Sequence, residues 1–123
     1  MRILVTGAAG FIGSAYVHHV LANHPGDDVV GLDLLTYAGN LANLSDLHTS
    51  ERFRFVQADI SDAAAINDIT DDVDAIVNFA AESHVDRSIL DPDAFLRTGV
   101  FGVNALLEAA RLERDRRGER VRM

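Results

Sequence analysis

Three glycines stand at a spacing suited to holding a phosphate. They fall in the run Gly7-Ala8-Ala9-Gly10-Phe11-Ile12-Gly13, directly after the apolar run Ile3-Leu4-Val5. The spacing is G-x-x-G-x-x-G, one residue longer at its front than the commonest dinucleotide fingerprint, but the physical needs are the same. Gly7 permits a sharp strand-to-helix turn, Gly10 lets the backbone approach a pyrophosphate, and Gly13 lets the following helix lie close on the strand. The helix N-terminus then offers free N–H groups and a partial positive charge to the phosphates. A mere tight turn is the plain alternative, and the strand before and helix after weigh against it. No Gly-Lys-Ser/Thr follows the glycines, which excludes a P-loop of the mononucleotide type.

Two carboxylates complete the pattern. Asp33 closes the second apolar run, Val29-Val30-Gly31-Leu32. A carboxylate there can accept both hydroxyls of an adenosine ribose and repels a 2′-phosphate, which argues for NAD over NADP. The alternative is a capping Asp at a strand end. Asp59 ends the third strand, within reach of an adenine edge, and turn or helix capping beside Ser61 is an equally good account of it.

The elements that must position these residues alternate. Ile3-Leu4-Val5 reads as a buried strand and Phe11 to about Asn23 as a helix. Pro25-Gly26-Asp27-Asp28 is a turn, and Val29 to Asp33 is the second strand. A loop and a weak helix lead to a third strand, Phe53-Arg54-Phe55-Val56. Ser61-Asp62 caps a short helix through Asp68, and Asp74 to Phe79 is the fourth strand. Asp91-Pro92 opens a long helix running to about Arg114, with Asp as N-cap and Pro at the first helical position. Phe95, Gly99, Val103, Leu106 and Ala110 form its apolar stripe, widened by Leu96, Val100 and Leu107. A stripe so wide suits a helix packed deep on its own sheet, or one that also meets a partner subunit. Glu113 to Arg120 is a charged surface stretch, and Val121-Arg122-Met123 reads as the first residues of a fifth strand. Alternating strands and helices imply a parallel sheet with right-handed crossovers, an α/β doubly wound Rossmann-type fold. A parallel strand three residues long suggests a truncated chain or an incomplete record.

Composition narrows the partners. The 123 residues suit one dinucleotide-binding domain spanning 1–123, with 48% hydrophobic residues to supply a core. The formal net charge of −8 disfavours nucleic acid and anionic lipid, so an anionic ligand must be held by local devices. There is no cysteine, hence no disulfide or thiolate metal site, which suits a reducing cytoplasm. The N-terminal apolar run is too short for a signal peptide or a membrane span. No metal site is expected.

Four segments together resemble the extended short-chain dehydrogenase/reductase superfamily and, within it, the dTDP-glucose 4,6-dehydratase family. They are RILVTGAAGFIGSA from Arg2, DLLTYAGNL from Asp33, ADISD from Ala58 and FAAESHVDRSI from Phe79. The first and third are generic to the superfamily; the second and fourth are specific. The resemblance implies that Phe11, Ile12 and Gly13 contact the pyrophosphate, and that Asp33, Leu34, Leu35 and Thr36 surround the adenosine ribose. It implies further that Asp59 and Ile60 flank the adenine, that Phe79, Ala80 and Ala81 line the nicotinamide side, that Ser83 touches the hexose and that Thr98 lies near the cofactor. Glu82, His84 and Arg87 share the specific segment without an assigned step. Leu34 replaces a basic residue frequent in the family, and Gly99 and Val103 stand where Asn and Thr are usual.

The resemblance also implies a reaction. A parent enzyme of this kind oxidises C4 of a nucleotide sugar such as dTDP-glucose, passing hydride to NAD; a Glu removes the C5 proton, an Asp assists loss of the C6 hydroxyl as water, and the hydride returns to C6. The family's Thr-Asp-Glu segment and Tyr-x-x-x-Lys pair are absent from this chain, because neither Tyr16 nor Tyr37 is followed by Lys four residues on. No catalytic residue is therefore expected within these 123 residues. Two rivals stand beside this reading: part of an NDP-sugar epimerase or other nucleotide-sugar dehydratase, and a non-catalytic NAD-binding module. A homodimer is expected, from the resemblance and the wide apolar stripe.

Overall fold

The computed structural model describes residues 1–82 and 89–123. Four parallel strands form one sheet in the order β3-β2-β1-β4. They are β1 (Arg2–Thr6), β2 (Asp28–Asp33), β3 (Phe53–Gln57) and β4 (Ala75–Asn78). This is the strand order of a Rossmann half, in which the C-terminal ends of the strands form one ligand-facing edge. The α/β reading of the sequence is borne out.

The two central strands are buried on both faces, as a parallel sheet requires. Ile3, Leu4 and Val5 of β1 and Val29, Val30 and Leu32 of β2 are all buried. Helix α1 (Phe11–Asn23) covers one face with Val17, Val20 and Leu21, packed with Ile3, Val5 and Val29. The other face is covered by α2 (Ala63–Ile69) and by α4 (Val103–Arg117), whose Leu106 and Ala109 pack with Leu4, Val30, Ile66 and Ile76. Asp62 caps α2, accepting the Ala64 and Ala65 N–H groups at 3.1 Å. The weak helix between β2 and β3 is a 3₁₀ segment, Leu41–Leu47, pinned by the buried Leu44.

Three expectations are corrected. The long helix is not one α-helix: α3 (Pro92–Leu96) passes into a π-type segment, Arg97–Gly102, before α4 begins. The extra residue per turn shifts the face that meets the sheet. Gly102, Ala105, Leu106 and Ala109 are buried there, while Gly99, Leu96, Val100 and Leu107 are exposed. The widened stripe is thus not packed on the chain's own sheet. Third, Glu113 is no surface residue; it is buried and accepts the Asp72 N–H at 2.9 Å and the Arg116 guanidinium at 2.7 Å. Asp72 has φ 60°, so its N–H is turned inward and needs an acceptor.

Residues Val121–Met123 do add to the sheet. Arg122 bridges Ala75 in parallel, with the Arg122 N–H on the Asp74 carbonyl at 3.0 Å and the Ile76 N–H on the Arg122 carbonyl at 2.8 Å.

Candidate dinucleotide site

The loop between β1 and α1 sits at the C-terminal edge of the sheet. Gly7 has φ 65°, and a Cβ there would lie 2.7 Å from the Phe79 carbonyl carbon. The turn thus needs glycine twice over, for its backbone and for the passage of the chain leaving β4. A Cβ at Gly13 would overlap the Gly7 carbonyl oxygen, so only glycine lets α1 start this close to β1. The first N–H groups of the helix, those of Phe11, Ile12 and Gly13, have no intrahelical acceptor. The Phe11 and Ile12 side chains are exposed, and neither residue is among those that line the groove described below.

Asp33 ends β2 beside this loop. It is buried, and both carboxylate oxygens are engaged: Oδ2 accepts the Ala9 N–H at 2.9 Å and Oδ1 accepts the Leu35 N–H at 2.8 Å. Each carboxylate oxygen keeps a further lone pair for a ribose hydroxyl. Leu35 has φ 59°, an uncommon conformation for a branched residue, and its N–H bond to Asp33 is what the turn gains from it.

One open groove of about 570 Å³, counted with its solvent-facing mouth, gathers most of the expected residues. Gly7, Gly10 and Asp33 line it with Leu34 and Thr36. Asp59, Ile60, Phe79, Ala80, Ala81 and Thr98 line it as well. Asp59 also fulfils its alternative role, with Oδ1 accepting the Ser61 N–H at 2.8 Å. Gly13 and Leu35 support the groove from behind and do not line it. Ser83, His84 and Arg87 lie outside the described residues.

The groove fits an extended dinucleotide by its own chemistry. The glycine loop before α1 lines it through Gly7 and Gly10, and the Asp33 carboxylate at the strand edge lines it too. The small residues Ala80 and Ala81 are part of its lining. Among the described residues no basic side chain lines it, and there the helix terminus is the device for a phosphate.

The family model described as GDP-mannose 4,6 dehydratase matches residues 4–123. The chain belongs to this family. It is 56% identical over 113 residues to a dTDP-glucose 4,6-dehydratase of Shigella flexneri, covering 90% of this chain and 31% of that protein. It is 49% identical over 111 residues to one of Mycobacterium tuberculosis, covering 90% and 33%. Among solved structures, a dTDP-glucose 4,6-dehydratase from Streptomyces venezuelae with NAD bound is 51% identical with a TM-score of 0.86, over 92% of this chain and 36% of that one. A UDP-glucose-4-epimerase from Stenotrophomonas maltophila, also with NAD bound, is 31% identical with a TM-score of 0.80, over 92% and 34%. The chain spans about a third of the length of the curated relatives it matches.

Within this dehydratase-family chain the structure adds residues the glycine motif did not announce. The buried Thr6 hydroxyl donates to the Asn78 side-chain oxygen and accepts the Ala80 N–H at 3.3 Å, tying the ends of β1 and β4 together beneath Ala80 and Ala81. Gly39 also lines the groove, and a Cβ there would come within 2.8 Å of Asp33 Oδ1. Its place in the specific segment after Asp33 was the available signal. Glu82, left without a role by the sequence, accepts the Tyr37 hydroxyl at 3.0 Å across the groove mouth. Among the described residues the acidic group Asp71, Asp72 and Glu113 surrounds the Arg116 guanidinium at 2.7–3.0 Å, so their charge is already met by an arginine.

Proposed function

We propose that this chain is the NAD-binding portion of a nucleotide-sugar 4,6-dehydratase acting on dTDP-glucose. The observation that carries the reading is the single groove that gathers Gly7, Gly10, Asp33, Asp59, Ala80 and Thr98 at the C-terminal edge of the sheet. In it Asp33 would hold the adenosine ribose and exclude a 2′-phosphate. The Phe11, Ile12 and Gly13 N–H groups would take the pyrophosphate, and Leu34, Leu35 and Thr36 would flank the ribose. Asp59 and Ile60 would bracket the adenine. Phe79, Ala80 and Ala81 would seat the nicotinamide, with Ser83 at the hexose. NAD, when bound, supplies the hydride acceptor and later donor of the reaction.

The chain's own part is binding and orientation. Thr6 and Asn78 hold the Phe79–Ala81 backbone at one depth, which fixes how closely a ring can approach. The acid–base groups of the chemistry have no counterpart at the motif positions in this sequence. The dTDP relatives favour this reading over an epimerase, since an epimerase likeness is 31% against 38–56% for dTDP-glucose 4,6-dehydratases. A dimer and a cytoplasmic setting accord with it. No helix among the described residues is long and apolar enough to cross a membrane.

Calorimetric titration of the 123-residue chain with NAD tests the binding, and incubation with dTDP-glucose tests the division of labour. Binding of NAD without formation of a 4-keto-6-deoxy sugar, followed by mass spectrometry, is the expected pair of results. Absence of NAD binding by the folded chain overturns the reading.

A further inference from the structure

The specific segment after Asp33 does more than supply ribose neighbours, because it clamps the glycine loop. Ala9, fully buried, is held at both of its backbone groups. Its N–H goes to Asp33 Oδ2 at 2.9 Å. Its carbonyl oxygen accepts two hydrogen bonds, from the Asn40 N–H at 3.0 Å and from the Asn43 side-chain Nδ2 at 2.9 Å. Both lone pairs of that carbonyl are therefore filled. Asn43 is itself seated by its backbone: its N–H donates to the Asn40 carbonyl at 3.0 Å, and its own carbonyl pairs with His18 Nε2 of α1 at 2.9 Å.

The Ala9–Gly10 peptide precedes the free N–H groups of α1. A carbonyl swung toward the groove there would set negative charge against an incoming phosphate, on a chain already at −8 and beside a groove with no basic residue among its described lining. Neither Asn40 nor Asn43 lines the groove, so their bonds keep that carbonyl on the protein side. We propose that Asn43 is a positioning residue of the dinucleotide site: it holds the Ala9 carbonyl inward, while the Gly10 N–H of the same peptide is held on the Gly7 carbonyl at 3.1 Å, so that the N–H groups at the start of α1, and not a carbonyl, face the pyrophosphate. The inference rests on the dinucleotide reading above.

The test separates pyrophosphate from nucleoside. The wild type, Asn43→Leu, Asn43→Asp and Ser45→Ala are titrated with ADP and with adenosine, followed by NMR shifts of the chain. Ser45 lies in the same 3₁₀ segment, and its hydroxyl donates to the Ala42 carbonyl of that segment at 2.9 Å, so it reports on the segment's general stability. Losing one such hydrogen bond should weaken ADP about five- to tenfold in both Asn43 variants, with adenosine changed less than about twofold. Ser45→Ala should leave both ligands unchanged. Asn43→Asp is nearly isosteric and carries the test if the Leu variant does not fold. Unchanged ADP affinity in a folded Asn43 variant overturns the proposal, as does an equal loss for ADP and adenosine. A wild type that binds neither ligand overturns the dinucleotide reading and this proposal together.

Discussion

The Asp33 carboxylate lies 2.9 Å from the Ala9 amide, so the residue that would read the ribose also braces the loop that would hold the pyrophosphate. Replacing it removes both functions at once. In Asp33→Ala the buried Ala9 N–H loses its acceptor, which costs about 1–3 kcal/mol. NAD binding should fall by at least about tenfold, since a charged hydrogen bond to the ribose goes with the brace. Discrimination against NADP should relax, because the charge that repels a 2′-phosphate is gone. Titration with both cofactors and a thermal melt check this. A wild type that binds NADP as tightly as NAD would show that Asp33 is a brace alone.

The two glycines flanking the turn into α1 differ in kind from Gly99. Gly13→Ala drives a methyl into the Gly7 carbonyl, a backbone atom that cannot step aside without moving β1. We expect a loss of about 3 kcal/mol and a melting temperature lower by roughly 10 °C or more. At Gly99 an added Cβ meets nothing within 4 Å, and the residue lies in the helical stretch between α3 and α4. Gly99→Ala should therefore stabilise by about 0.5–1 kcal/mol. Paired melts of the two variants decide it, and equal effects would contradict the packing.

Why some of this was legible in the sequence and some was not follows from the range of the forces involved. The glycine spacing, Asp33 and the caps Asp62 and Asp91 act within a few residues, and each element they mark is present. The close packing at the end of the π-type segment was not legible, because it involves a distant partner: a Cβ at Gly102 would collide with the Ile60 side chain, 42 positions earlier in the chain. Glu113 misled for the same reason. Charged neighbours on both sides read as solvated surface, and only the inward N–H of Asp72 shows why a carboxylate is buried there. At the site, Asp33 was legible as an acceptor, and its bond from the Leu35 N–H two residues on is local, whereas its other donor, Ala9, depends on how the glycine loop meets the end of β2.

Acid should weaken the fold through Glu113. The Arg116 hydrogen bond, with the Asp72 N–H behind it, holds this carboxyl below its ordinary value of 4.5. Asp74 is likewise held below 3.8, chiefly by the Arg2 N–H and then by Arg117. A carboxyl depressed in the folded state stabilises fully above its unfolded value, and that stabilisation drains away as pH falls through the folded one. The melting temperature should hold above about pH 5 and decline from there toward about pH 3. Glu113→Gln keeps an acceptor for the Asp72 N–H but gives up the charge, so it should melt lower at neutral pH and decline less steeply in acid. A parallel decline in both proteins would remove Glu113 from the account.

The exposed flank of the π-type segment and α4 should drive self-association. Leu96, Val100, Phe101 and Leu107 are 52%, 55%, 61% and 53% exposed, and they occur within twelve residues of one another. Large apolar side chains gathered this closely at a surface mark an interaction face. The sheet adds a second impulse, since Arg122 pairs only with the start of β4, through Asp74 and Ile76, and unpaired strand edges recruit other chains. The net charge of −8 resists association only weakly, because salt screens it beyond about 8 Å at physiological ionic strength. Sedimentation of the chain at micromolar concentration should show a dimer or larger species. Val100→Glu combined with Leu107→Glu should return it to a monomer with little change in melting temperature, because neither side chain is packed in the core. If the double variant still associates, the strand edge and not the helix is the adhesive surface; if the wild type sediments as a monomer, neither is.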